Sequence, residues 1–376
     1  MKRKPHGDEP RIALCLPGGG ATGGMYQIGA LAALEDAVDG LDANGFDLYL
    51  GTSSGASVAS VLAGGRSVQR MYRALLDPAD TYFPLERKHI WRTDFAEWQR
   101  ALTTAFGALR QGANSLLFRG PQPSRAVLWE ELDRLYDSLP AGVFSLDGYE
   151  RFLADFFYRR DVPNTFHGMP GELLILSHDL DSGEPVLFGA EGFDQVPVSR
   201  ACIASMALPP FFSPVRIGDR HYIDAGAAQL AQLDVAVQRG ADVIVIVNPM
   251  VPVAAEHVPT GHGQKSSVRD KGYLWVANQA MRISMHALLV EAAGRIRAAG
   301  RAEVILIEPE PTDGILFMHN PASFAARRNI LEYAYRTTRE RVSGWLQGRE
   351  AAVERAGWRT RPPVSRLPPP PLEGDA

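Results

Sequence analysis

Ser53 stands between two glycines, Gly51 and Gly55, in the run Gly-Thr-Ser-Ser-Gly. A serine hydroxyl is a poor nucleophile unless it is presented to a base and the oxyanion it creates is stabilised. A sharp strand-to-helix turn presents it. Such a turn needs small residues two before and two after the serine, because the two backbones pass close together there. Ser53 has its glycines in that arrangement and Ser54 does not. The chemistry it would serve is nucleophilic acyl transfer; the bland reading is a tight turn that contains Gly-x-Ser-x-Gly by chance.

Gly18, Gly19, Gly20 and Gly23 form a second glycine-rich segment, Gly-Gly-Gly-Ala-Thr-Gly. It has two physical readings. After a strand and before a helix, Gly-x-Gly-x-x-Gly is a dinucleotide fingerprint with a pyrophosphate at the helix N-terminus, and Asp42 or Asp47 stands near the expected acidic position. Alternatively, its backbone amides form an oxyanion hole. With a serine turn one strand away, the oxyanion reading fits better. A glycine turn with neither role is the third possibility.

Asp224 follows the expected strand 221–223 and precedes the small residues Ala225 and Gly226. Burial on such a turn would raise its proton affinity, which a carboxylate needs if it is to take a proton from serine. Without context, an aspartate after a strand is more often a turn residue. Of the nine histidines, His257, His262, His286 and His319 follow Asp224, as the chain order Ser…Asp…His requires. None stands in a recognisable catalytic setting. His257 and His262 lack a third ligand motif, so no metal site is expected, and no Walker-type Gly-Lys-Ser/Thr follows either glycine segment.

These residues need elements to hold them. Residues 12–16 read as a buried strand, 25 to about 38 as a helix, 47–50 as a strand and 54 to about 63 as a helix ended by Gly64-Gly65. That alternation implies an α/β fold with a mainly parallel sheet. Residues 84–160 are rich in aromatics at helical spacings and read as a helical insertion. Strands resume at 173–177, 186–188, 214–217, 221–223 and 243–247, with a helix at 231–239. Long amphipathic helices at 273–297 and 321–345 flank a strand at 303–307. The expected organisation is a flexible N-terminus (1–10), a catalytic region (11–250), a helical C-terminal extension on the same domain (251–347) and a proline-rich tail (348–376).

Composition excludes several classes. The 376 residues carry 39 basic and 43 acidic side chains, net charge -4, which gives no footprint for nucleic acid. Two cysteines, Cys15 and Cys202, cannot build a disulfide framework. No apolar run approaches the roughly 18–20 residues that span a bilayer. The polar residues 1–10 lead into a short apolar run, where a signal peptide needs about 7–15 apolar residues. The cytoplasm is therefore the expected location, with peripheral membrane contact allowed. Oligomeric state is open.

Taken in order, the motifs resemble the patatin-like phospholipases, or patatin-like lipid acyl hydrolases. That family carries a glycine-rich oxyanion loop, a Gly-x-Ser-x-Gly nucleophile elbow and an Asp-Gly-Gly/Ala motif, which appear here as GGGATG, GTSSG and DAG (Asp224, Ala225, Gly226). The segments GTSSGASVASVLAGG, ASMALPPFFSPV and HYIDAG look like the family's text as well. The resemblance covers about 11 to 247, without the insertion. It implies a three-layer α/β/α sandwich and a Ser53–Asp224 dyad rather than a triad. It further implies an oxyanion hole from amides around Gly19 and Gly20 with Ser54 N–H, a lipid ester substrate and no cofactor or metal. Two positions depart from the pattern. Thr22 stands where many members carry a basic residue, which removes a bidentate phosphate partner. Ala225 replaces a glycine, and the turn is expected to avoid a positive φ there. Other functions left open are a nucleotide-dependent oxidoreductase built on the 18–23 loop and a lipid-binding relative without turnover. The aromatic insertion, with Trp91, Phe95, Trp98, Phe106, Leu116, Leu117 and Phe118, is the candidate lipid entrance, and 327–366 adds a local charge of +6.

Overall fold

The centre of the sheet is made of short runs in which successive side chains are all apolar. β1 (Ile12–Leu16) reads IALCL and β7 (Val243–Val247) reads VIVIV, because helices cover both faces and neither side of the pleat meets water. This is a computed structural model, and it describes residues 10–119, 139–226, 229–254, 267–319 and 326–361. The other sheet strands are β2 (Leu48–Thr52), β3 (Glu172–Asp179), β4 (Pro185–Phe188), β5 (Val215–Ile217), β6 (Arg220–Asp224) and β8 (Glu303–Ile307).

The eight strands form one sheet in the order β8-β7-β1-β2-β3-β6-β5, with β4 also paired to β3. From β8 to β3 all neighbours are parallel, and β4, β5 and β6 are antiparallel additions. One edge of β3 belongs to β4. The opposite edge is divided: β2 pairs up to Leu176, and β6 takes over from Ser177.

The sheet separates two apolar layers. Leu14 and Leu16 point into one of them with α1 (Gly20–Ala37), α2 (Ser54–Ala63), α6 (Val198–Met206) and α9 (Arg327–Leu346). Ala13 and Cys15 point into the other with α7 (Gln229–Gln238) and α8 (Tyr273–Ala298). The α/β/α sandwich with a mainly parallel sheet is thus present. The extension after residue 250 is not wholly helical, because β8 completes one edge of the sheet. Among the described residues, no helix is long and apolar enough to cross a membrane.

Three local differences from the sequence reading matter for the site. Helix α1 starts at Gly20 rather than near residue 25, so the second half of the glycine segment is its first turn. Asp224 is the last residue of β6 rather than part of the following turn, because its N–H bonds the Ala207 carbonyl at 3.0 Å and its backbone pairs with Ser177. The tail is also shorter than expected. Glu350–Arg355 is helical, Trp358 is buried against Phe46, and residues 359 and 360 pair with Asp39 and Val38.

The insertion divides into two parts. In α5 (Asp147–Arg159), Phe152, Phe156 and Phe157 belong to the main core. In α4 (Phe95–Arg119), Phe95, Trp98 and Phe106 are exposed. Residues 120–138 of the insertion lie outside the described residues.

Candidate active site

Ser53 is the only residue between β2 and α2, and it turns the chain with φ 53° and ψ −129°. A non-glycine residue at positive φ costs about 1–3 kcal/mol and persists only where its surroundings hold it. Close backbone approach explains the flanking glycines. A Cβ on Gly55 would lie 2.0 Å from the Leu16 carbonyl oxygen, and one on Gly51 would lie 2.5 Å from the Ala56 Cα. The neighbouring Thr52 Oγ1 accepts a 2.5 Å hydrogen bond from the buried Gln232 amide. Ser54 opens α2, and its buried hydroxyl has no partner among the described residues.

The glycine segment lies directly against this turn. A Cβ on Gly18 would sit 2.7 Å from the Ser53 Cβ and 3.3 Å from its Oγ. Gly19 and Gly23 press on the Pro249 ring, where added Cβ atoms would approach to 2.8 and 3.1 Å. Gly20 adopts φ +62° at the first position of α1. Two helices therefore start beside the Ser53 hydroxyl, and the N–H groups of a helix's first turn have no helical carbonyl to meet. Together with the helix dipoles, they favour negative charge at this point.

Asp224 faces Ser53. The nearby Ser53 side chain and Gly226 backbone favour its ionised form. Loss of solvent pushes its pKa up from 3.8 to about 7, and the polar groups of Ser53 and Gly226 pull in the opposite direction without cancelling that effect. The residue as a whole is half-buried, while its carboxyl group is shielded from solvent. Ala225 is buried and is not among the residues at positive φ, so the turn avoids the strain that an alanine could have brought.

Other sequence candidates fall elsewhere. His286 pairs with Glu308 at 3.1 Å, and His257 and His262 lie outside the described residues. Among the described residues, no histidine bonds Ser53 or Asp224 in this arrangement. Asp47 accepts the Ile12 N–H and Asp42 the Asn44 N–H. Both aspartates precede β2, at the opposite end of the sheet from the glycine segment, so neither can serve a ribose there. Thr22 is buried with its hydroxyl on the Gly19 carbonyl at 3.3 Å. Among the described residues, no group of three His, Cys, Asp or Glu is placed to hold a metal.

Three supporting residues escaped the sequence reading. Ser205 accepts the Ser53 N–H at 2.8 Å. Gln27 donates to the Pro17 and Val247 carbonyls, joining the ends of β1 and β7. Arg282, buried on α8, bonds Asn278 and the carbonyls of Pro249 and Val251, which supports the proline under Gly19. Burial lowers its pKa to about 10. Single polar residues inside apolar helices have no spacing that announces them; the only signal was their polarity at core positions. Surface cavities of about 580 and 770 Å³ lie away from Ser53, one beside Leu85 and Arg328 and the other around Trp358.

A strand-turn-helix serine, a glycine segment packed on it and a shielded carboxylate converge at the carboxyl ends of parallel strands, where open α/β sheets place their ligands. The class is an α/β protein with a mainly parallel sheet and a serine turn at its carboxyl ends. The chain belongs to the Patatin-like phospholipase family, whose profile matches residues 14–237. No curated protein matches it. Solved structures similar to it include the type III effector ExoU of Pseudomonas aeruginosa, at 17% identity over 91% of this chain and 53% of that one, with TM-score 0.37. VipD from Legionella pneumophila is 15% identical over 87% of this chain and 67% of that one, with TM-score 0.32. Human GIVD cytosolic phospholipase A2 in complex with methyl gamma-linolenyl fluorophosphonate is 13% identical over 93% and 60%, with TM-score 0.35. The chain spans about half the length of the first of these.

Proposed function

We propose that this protein hydrolyses carboxylic esters of lipids through an acyl-enzyme, with Ser53 as nucleophile and Asp224 as the single general base. The observation that carries the proposal is the Ser53 turn between β2 and α2 beside Asp224 at the end of β6, with Thr52 and Asp224 opposite consecutive residues of β3; shielding of Asp224 from solvent, which pushes its pKa up to about 7, supports it. A base near neutrality accepts a proton from the attacking hydroxyl and returns it to the leaving group, which an ordinary aspartate does poorly.

In the first half-reaction the Ser53 proton passes to Asp224 while Oγ bonds the ester carbonyl carbon. The tetrahedral oxyanion lies by the free amides of the 18–20 segment and of Ser54. Collapse breaks the bond to the alcohol, which leaves with the proton from Asp224. In the second half, water gives a proton to Asp224 and its oxygen bonds the acyl carbon. The fatty acid departs and Ser53 recovers the proton, so the enzyme is unchanged.

The exposed apolar face of α4, with Phe95, Leu102 and Phe106, supports contact with a lipid aggregate. The basic C-terminal stretch adds less than its composition suggests, since Arg328, Arg336, Arg341 and Arg361 are paired with Glu332, Glu340, Asp313 and Asp39. The deciding experiment is labelling with a fluorophosphonate followed by mass spectrometry. Stoichiometric modification at Ser53, lost in Asp224→Asn, supports the reading; an unmodified Ser53 in folded protein rejects it.

A further inference from the structure

Ser205 and Ala207 lie two residues apart at the end of α6, and each holds one member of the Ser53–Asp224 pair. The Ser205 hydroxyl accepts the Ser53 N–H at 2.8 Å, and the Ala207 carbonyl accepts the Asp224 N–H at 3.0 Å. We infer that this segment is a clamp that sets the nucleophile against its base, with Ser205 as the positioning residue. The inference rests on the proposed roles of Ser53 and Asp224 and goes beyond them.

The parallel ladder explains why a hydroxyl is needed. Pairing of β2 with β3 ends at Thr52 opposite Leu176. A further ladder step would keep Ser53 in the sheet, with extended geometry. Instead, Ser205 Oγ stands between the two strands: it accepts from Ser53 N–H and donates to the Leu176 carbonyl. A hydroxyl can do both at once, since it carries one donor and two acceptor positions. The inserted oxygen lets Ser53 leave the sheet plane for φ 53° while neither backbone group loses its partner in a fully buried place. Occupation of the Ser53 N–H also removes it from the set of oxyanion donors, which leaves that task to the 18–20 segment and Ser54.

A residue with only a packing role would be replaceable by alanine at no cost to chemistry. Ser205→Ala removes both the acceptor and the donor, and Ser205→Cys keeps a weaker version of each. The full chain carrying each change is compared with wild type in its rate of fluorophosphonate labelling at Ser53. Steady-state hydrolysis of a soluble short-chain ester is followed well below the melting temperature. Misplacing a reacting group by an ångström costs about 100-fold, so Ser205→Ala is expected to lower the labelling rate and kcat by about 10- to 100-fold. KM should stay within about twofold, since no ground-state substrate contact is removed. Ser205→Cys should fall between. The pH midpoint should not move, because the solvent shielding of Asp224 is unchanged. An alanine variant that melts earlier but labels and turns over like wild type overturns the clamp. If the alanine variant does not fold, the cysteine variant decides, and an unreduced labelling rate there overturns it too. Wild type that takes no label at Ser53 rejects the nucleophile reading instead, a distinct outcome.

Discussion

Thr52 and Asp224 face consecutive residues on the same edge of β3, Thr52 opposite Leu176 and Asp224 opposite Ser177. Two strands, one parallel and one antiparallel, meet there end to end, and Ser53 is the next residue after the first of them. The proposed base is therefore placed by backbone pairing rather than by a loop, and its reach is fixed. Asp224→Glu, longer by one methylene, cannot retreat along the strand to compensate. It should lose activity nearly as completely as Ser53→Ala or Asp224→Asn, by about 100-fold or more. His286→Ala should stay active, since that ring serves Glu308. Ester hydrolysis by the folded variants checks this; a Glu variant with near wild-type kcat would show that the register does not set the base.

The raised pKa of Asp224 gives two pH signatures of opposite sign. In the proposed mechanism the ionised carboxylate is the base, so kcat/KM on a neutral soluble ester should rise with pH around a midpoint near 7 and then level off. For stability, a carboxylate whose folded pKa exceeds its unfolded value binds more protons in the folded state. Stability from this group is complete below about pH 4 and falls as pH rises to about 7. Asp224→Asn avoids that loss. It should be the more stable protein at pH 8 by roughly 2 kcal/mol, discounted because the residue as a whole is only half-buried, and equal to wild type near pH 3. Thermal melts at both pH values read this; a gain that persists at low pH has another cause.

The two glycine segments should respond differently to one added methyl. Gly55→Ala directs a Cβ onto the Leu16 carbonyl oxygen at 2.0 Å, between two core backbones that cannot part. It should destabilise the fold by about 3 kcal/mol or more. Gly18→Ala meets the Ser53 side chain at 2.7 Å, so the cheapest adjustment is to displace the nucleophile. It should fold and lose most activity. A Gly18→Ala enzyme with normal labelling would mean that the loop, not Ser53, gives way.

Removing the guanidinium of Arg282 should weaken the support beneath the glycine segment. Arg282→Met leaves the Pro249 and Val251 carbonyls without their donor in a buried place, at a cost of about 1–3 kcal/mol for each group left unsatisfied. Denaturant titration should show the loss. Arg282→Lys should recover only part of it, because one ammonium cannot match the guanidinium fork that also binds Asn278.

The strands were legible wherever both faces are covered, because continuous apolar runs such as residues 243–247 have no other stable use. The Ser53 turn was legible because glycine at two fixed offsets has a steric reason that the Leu16 carbonyl and Ala56 make concrete. The start of α1 was misread because three glycines argue against helix by propensity. Packing overrides this: Gly23 lies against Pro249, and any side chain there would push the segment off the site. The last fourteen described residues were assigned to a tail because the prolines that follow dominate the composition, while Trp358, one large apolar residue, anchors them. Ser205 and Arg282 act through partners far away in sequence, and no local pattern encodes such pairs.

The two halves of the insertion make separable predictions about lipid access. Phe95, Leu102 and Phe106 lie seven and four residues apart on α4, on one helical face, and are 77%, 55% and 71% exposed. The start of α4 is tied towards the site, since Trp98 donates to the Val143 carbonyl and the Val143 N–H bonds Phe211, four residues beyond Ala207. Trp91 is different: its ring packs on Phe144 and Phe212. If α4 meets a lipid aggregate, replacing Phe95 and Phe106 together by serine should cut hydrolysis of vesicle or micellar substrate about tenfold, since each exposed aromatic contributes on the order of 1 kcal/mol or more on burial. Hydrolysis of a monomeric short ester should be unchanged. Trp91→Ala should lower both activities alike, because it loosens the aromatic packing beside the Ala207 segment. Measuring the two substrates side by side separates these roles: equal losses in the double serine variant would make α4 part of the folded body, and no loss on either substrate would remove it from lipid capture.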